Sequence, residues 1–214
     1  MVETFLTLVR HGESIWNAHG ILQGQADCPL SETGRQQAAL VAARLAQWRF
    51  DACYTSDLAR ARETAKAVTA ACGLPALPHP GLRERAMGRW EGLSLEQVGE
   101  RYPEDLAAWL ADRSANQHGG ERLEQMVKRV LAAVQEILDR HPGGRLLAIT
   151  HGGPIKAVVC SALGIPAEFA NRFWIGNTSI TEVKRDAKGL VVRGVNDLCH
   201  LGPPCQAERI ESGG

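Results

Sequence analysis

Several things are missing from this chain of 214 residues. It has no apolar run approaching the ~18 residues of a membrane span. It has no excess charge of either sign: lysine plus arginine number 24, as do aspartate plus glutamate. That balance argues against a nucleic-acid binder, which normally shows a basic surplus. The N-terminus, MVETFLTLV, lacks the basic start and long apolar core of a secretion signal. The six cysteines (Cys28, Cys53, Cys72, Cys160, Cys199, Cys205) form no CxxC pair. They read as reduced thiols, most of them small packing residues, and the expected location is the cytoplasm. HExxH, DxDx[TV] and GxxxxGK[ST] are absent as well, which disfavours a zinc hydrolase, an aspartyl phosphatase and a nucleotide kinase.

What is present is an ordinary soluble composition, 44% apolar and 22% charged. The length suits one well-buried domain spanning 1–214, with an irregular tail after about residue 201. Thr4–Val9, Ala52–Thr55 and Leu146–Thr150 read as short buried strands. Ser31 is placed to cap a helix running to about Trp48, and Asp57 to cap one that stops at Cys72 before Gly73. Ser94 and Gln97 form a capping-box pattern, and Pro103 suits the first turn of a helix to about Asp112. Gly120–Arg140 has the strongest helical periodicity, and a helix follows from about Pro154 to Leu163. Ser179–Arg185 and Leu190–Val195 flank DAKG, a hairpin signal. Strands alternating with helices imply an α/β fold with a mostly parallel sheet covered on both faces. Ligands bind such sheets beyond the carboxyl ends of the strands.

Three strand ends carry similar chemistry. The first ends in Arg10-His11-Gly12, the second runs into Ser56-Asp57 and then Arg60, and the third ends in His151-Gly152-Gly153. Each delivers a cationic-capable side chain, and glycine after two of them allows close approach of a ligand. Helix N-termini there add amides and a positive dipole end, so a compact anion, phosphate above all, fits best. One histidine at a strand end is commonly a satisfied surface residue; a second His-Gly at another strand end is harder to dismiss. His19, His79, His118, His141 and His200 lack this setting and read as loop or surface residues.

The segments RHGESIWN, LQGQADCPLSETGRQQA, YTSDLARARETA, LRERAMGRWEG, GGE, ITHGG and the late NDLCHL occur in one order. In that order they resemble the histidine phosphatase superfamily, the phosphoglycerate-mutase-like clan, and its short bacterial phosphatases in particular. The resemblance covers Leu8 to about Leu201. It implies a phosphoglycerate-mutase-like, three-layer α/β/α sandwich. It implies His11 as nucleophile, kept neutral by Arg10 and Arg60, and Glu84 as the acid that protonates the leaving alcohol. Arg10, Arg60 and His151 would spread the charge of the transferring phosphoryl group. Asn17, Gln23, Gly24 and the amide of Gly152 would bind it. Glu13 is given no catalytic role, Arg83, Arg85 and Met87 are candidates to shape the pocket, and Trp16 and Trp90 read as packing residues. No metal and no cofactor are expected, since the cations are built in.

The implied partner is a small phosphorylated metabolite, with no nucleic acid and no membrane; a homodimer is compatible with the chain. A cysteine phosphatase would need Cys-x5-Arg, and Cys53–Arg60 and Cys28–Arg35 are each one residue too long. A non-catalytic phospho-ligand binder is disfavoured because His11 and Glu84 are both present. The expected activity is that of a metal-independent phosphomonoesterase acting through a phosphohistidine, with a mutase as the alternative. Mutases of this clan carry extra covering segments between the acid and the second histidine, where this chain has 66 residues. Phosphoglycerates, phosphoserine, sugar phosphates and α-ribazole phosphate all stay open as substrates.

Overall fold

A computed structural model describes residues 2–112 and 116–202. Six strands form one sheet: β1 (Thr4–Arg10), β2 (Ala52–Thr55), β3 (Ala76–Pro78), β4 (Arg145–Thr150), β5 (Ile180–Asp186) and β6 (Gly189–Asp197). Their spatial order is β3-β2-β4-β1-β5-β6. The first four run parallel; β5 lies antiparallel to β1, and β6 to β5. The sheet is therefore mostly parallel, with the DAKG hairpin added along one edge.

Alternation along the strands sets the layers. Leu146 and Ala148 of β4 join one cluster with Val134 and Ile137 of α6 (Leu123–Arg140) and Val158 of α7 (Gly152–Leu163). Leu147 and Ile149 join the opposite cluster, with Val41 of α2 (Glu32–Leu45) and Ala65 of α3 (Ala59–Cys72). Period-2 burial on the strands and the 3–4 spacing of Met126, Val130, Ala133, Val134 and Ile137 on α6 produce the three-layer sandwich. A smaller cluster of Trp90, Val98 and Trp109 is carried on α4 (Leu95–Arg101) and α5 (Pro103–Ala111) and the loop before them. Trp90 and Trp109 meet edge to face, centroids 5.6 Å apart, so Trp90 is the packing residue expected.

Local signals explain most element ends. Ser14 caps the short α1 (Ile15–Ala18), and Ser31 accepts from the amide of Gly34 and caps α2. Ser94 and Gln97 close a reciprocal capping box on α4. Gly73, at φ +69°, ends α3 in the left-handed conformation.

Some expectations are corrected. Asp57 does not cap α3, since its carboxylate is taken by Arg83 at 2.7 and 2.6 Å. Asp27, from a distant loop, accepts from the first helical amide, Ala59, instead. α6 starts at Leu123 rather than Gly120, because the amide of Gly120 is held by His118 Nδ1. His118, expected at the surface, is fully buried against Trp90. β3 was not anticipated: it is three residues long and ends in proline. Cys205 lies outside the described residues. Of the other cysteines, all free, Cys28, Cys53 and Cys160 are buried, Cys72 is half-buried and Cys199 is exposed.

Among the described residues no helix is long and apolar enough to cross a membrane.

Candidate active site

The carboxyl ends of β1, β2 and β4 meet at a cavity of about 390 Å³. Arg10, His11, Arg60, Glu84 and Gly152 are all on its wall, as are Asn17, Gln23 and Gly24. His151 is not on the wall. It lies fully buried beside His11, ring centroids 5.0 Å apart.

His11 is buried at the end of β1. Its Nδ1 lies 2.7 Å from the carbonyl of Gly12, which can only accept, so Nδ1 carries the proton. The bare nitrogen is then Nε2. Burial, then Arg10 and Arg60, hold the pKa well below the ordinary histidine value. Gly12 is glycine for a packing reason: a Cβ there would stand 2.5 Å from the carbonyl oxygen of Gly34 in α2.

Arg60, on the first turn of α3, is 1% exposed. It donates to the carbonyls of Ala26 and Gly24 at 2.9 and 2.8 Å, which ties the 23–26 loop to the cavity. Arg10 donates to the carbonyl of Ile175 at 2.5 Å, and burial lowers its pKa to about 10. His151 shares a 2.7 Å hydrogen bond with Ser56 through Nε2, and burial holds it well below its usual pKa. Arg10 Nε, Arg60 Nε and His151 Nδ1 are buried with no partner among the described residues. Unsatisfied buried polar atoms are costly, and those of Arg10 and Arg60, both on the cavity wall, suit an anion there.

Glu84 is held at both oxygens. The amide of Arg85 donates to Oε1 at 2.8 Å and that of Gly153, in the first turn of α7, to Oε2 at 3.0 Å. A Cβ on Gly153 would come within 2.1 Å of Oε1, so the second glycine of THGG makes room for the carboxylate. Arg129 of α6 donates to the carbonyls of Gly81, Arg83 and Glu84 while paired with Glu121, and so clamps the loop that carries Glu84.

Ser14, fully buried, sets the remaining polar wall. Its amide donates to Asn17 Oδ1 at 3.2 Å and its hydroxyl to Gln23 Oε1 at 2.8 Å. Both carboxamide oxygens are thereby used, which leaves the two NH₂ groups for the cavity. Glu13 accepts from the Ser31 hydroxyl at 2.6 Å, in keeping with its lack of a catalytic assignment. Of the three candidates to shape the pocket, Arg85 and Met87 line it; Arg83 faces Asp57 instead. The outer wall is largely apolar and includes Leu22, Trp109, Met126 and Trp174. Ser14, Ser56 and Arg129 were not assigned roles from sequence. Serines beside turns and an arginine on a helix's polar side carry no distinctive signal.

The profile of the histidine phosphatase superfamily (branch 1) matches residues 6–198. Phosphoserine phosphatase 1 of Hydrogenobacter thermophilus is 34% identical over 198 residues, covering 92% of this chain and 94% of that protein. The probable phosphoglycerate mutase GpmB of Cronobacter sakazakii is 35% identical over 209 residues, 94% of this chain and 96% of its own. Among solved structures, Bacillus stearothermophilus YhfR superposes with a TM-score of 0.86 at 34% identity, over 92% of this chain and 99% of its own.

Proposed function

Because the chain belongs to the histidine phosphatase superfamily, we propose that it hydrolyses small phosphomonoesters through a phosphohistidine on His11, without a metal ion. The observation that carries this reading is the state of His11. It is a neutral imidazole with Nδ1 pinned, Nε2 bare, and two arginines on the same cavity wall.

The chemistry follows in two steps. The Nε2 lone pair attacks phosphorus, the ester P–O bond breaks, and Glu84 gives its proton to the departing alkoxide. Water then attacks the phosphohistidine, Glu84 takes one of its protons, the N–P bond breaks and inorganic phosphate leaves. The guanidinium groups of Arg10 and Arg60 balance the charge that spreads over the phosphoryl oxygens, with the neutral imidazole of His151 behind them. Those fixed cations do what a metal would otherwise do, and the NH₂ groups of Asn17 and Gln23 and the amide of Gly152 complete the cradle. The apolar outer wall suits the carbon skeleton of the leaving alcohol.

A panel of phosphomonoesters should release inorganic phosphate at nearly equal rates with and without EDTA. A rate lost to EDTA and restored by magnesium, manganese or zinc contradicts the metal-free mechanism. The second reading is a phosphoglycerate mutase, favoured by the name of the GpmB relatives, which match this chain nearly end to end. A mutase must keep water from its phosphohistidine. With 3-phosphoglycerate primed by 2,3-bisphosphoglycerate, free phosphate should outrun 2-phosphoglycerate. The opposite order, with other monoesters ignored, makes the chain a mutase.

A further inference from the structure

Among the described residues only two non-glycine residues have positive φ, Thr178 at +57° and Asn196 at +59°. Asparagine tolerates that region; a β-branched threonine rarely enters it. A backbone held there persists only where its surroundings over-determine it, and such places cluster at functional sites. Here the surroundings are specific. Thr178 is fully buried, and its amide donates to the carbonyls of Arg10 at 3.0 Å and His11 at 3.3 Å. Asn177 Nδ2 donates to the same His11 carbonyl at 3.0 Å and reaches Asn17 Oδ1 at 3.5 Å.

The C-terminal segment holds this turn in place. Asn196 Oδ1 accepts from the amide of Gly176 at 2.7 Å. The Thr178 hydroxyl donates to the Asn177 carbonyl at 2.7 Å, so it accepts from His200 Nε2 at 3.1 Å. Asp197 between them is anchored by the two terminal guanidinium nitrogens of Arg44 on α2. Asn196, Asp197 and His200 are the N, D and H of NDLCHL, a motif with no part in the phosphate chemistry.

We propose that Asn177 is a positioning residue for His11, held in its working geometry by the strained Thr178 backbone and by Asn196 and His200. The turn fixes the carbonyls of Arg10 and His11, and with them the line along which Nε2 faces phosphorus. A misplacement of about 1 Å in such a group costs on the order of 10²-fold in rate. This role rests on the reading of His11 as nucleophile.

The test is single-turnover phosphorylation of the full chain by an activated aryl phosphate, alongside the affinity for inorganic phosphate and a thermal melt. Asn177→Ala and Asn177→Asp both remove the donor. Each should slow phosphorylation by roughly 10–100-fold, while phosphate affinity changes by less than about threefold because Arg10 and Arg60 remain. Thr178→Gly keeps the left-handed backbone and its amide but loses the hydroxyl that His200 reaches, so its rate should fall between wild type and Asn177→Ala. Rates for both Asn177 variants within about twofold of wild type overturn the proposal. So does a loss that merely tracks the folded fraction, or a loss in Thr178→Gly equal to that in Asn177→Ala. If wild type forms no phosphoenzyme, the reading of His11 fails and the positioning role with it. If wild type and Asn177→Ala form it equally fast, only the positioning role fails.

Discussion

His11 and Glu84 are each fixed by backbone groups, His11 by one carbonyl and Glu84 by two amides. Glu84→Gln removes the proton and keeps one of the two amide contacts, since its NH₂ group cannot accept the other. Turnover of an alkyl phosphate should fall by ~10²–10⁴-fold, and phosphorylation by an activated aryl phosphate should fall less. Equal losses, measured in single turnover, would make Glu84 a positioning group instead. Gly153→Ala should imitate Glu84→Gln, since its methyl would occupy the place of the carboxylate oxygen. A near wild-type rate on the alkyl substrate would contradict this. Arg10, His11, Arg60 and His151 are legible in the sequence because imidazole and guanidinium groups at strand ends are distinctive there, whereas Glu84 is legible only through the resemblance of LRERAMGRWEG to the family segment. Ser14, Ser56 and Asn177 are not legible, because serine and asparagine beside turns are ordinary turn chemistry. Their roles come from partners that only the fold brings near.

The loop after β1 and helix α2 meet through glycine. A Cβ on Gly34 would lie 1.8 Å from the carbonyl oxygen of Glu13, and one on Gly12 would strike Gly34 in turn. This close approach sets where the residues after His11 run. Gly34→Ala must push α2 outward, at a cost of about 1–3 kcal/mol, and should lower activity as well. Gly73→Ala, in open space at the end of α3, should cost only about 1 kcal/mol and leave turnover intact. Thermal melts and phosphate release on both variants check this; equal effects would contradict the contact. Element ends governed by neighbours in sequence, such as Ser31 and Gly73, could be read directly. The start of α3 could not, because Asp57 is drawn to Arg83, 26 residues away, and Asp27 supplies the cap from a loop 32 residues away.

For the whole molecule, the alternation of strands and helices pointed to the parallel part of the sheet, and DAKG to the hairpin. That β5 pairs with β1, closing the site from behind with the 176–179 turn, depends on long-range pairing that no local pattern signals. Stability follows from the same buried site. His11 and His151 are held neutral in the fold, well below the ordinary value of 6.5. Above that pH neither state is protonated. Below it the unfolded chain takes up protons that the folded chain refuses. Their contribution is thus present above about pH 6.5 and lost as pH falls, each by up to about 1.4 kcal/mol per pH unit. Urea unfolding between about pH 7.5 and pH 5 should show a steeper loss for wild type than for a variant with both histidines replaced by alanine. Equal slopes would contradict the depressed values. The covalent phosphohistidine on His11 can be trapped. The chain is mixed briefly with a labelled phosphomonoester, quenched, and digested. The label should survive alkali, be released by acid, map to the peptide bearing His11, and vanish with turnover in His11→Ala. Label that persists in His11→Ala, or turnover by that variant at near wild-type rate, would contradict a phosphohistidine on His11.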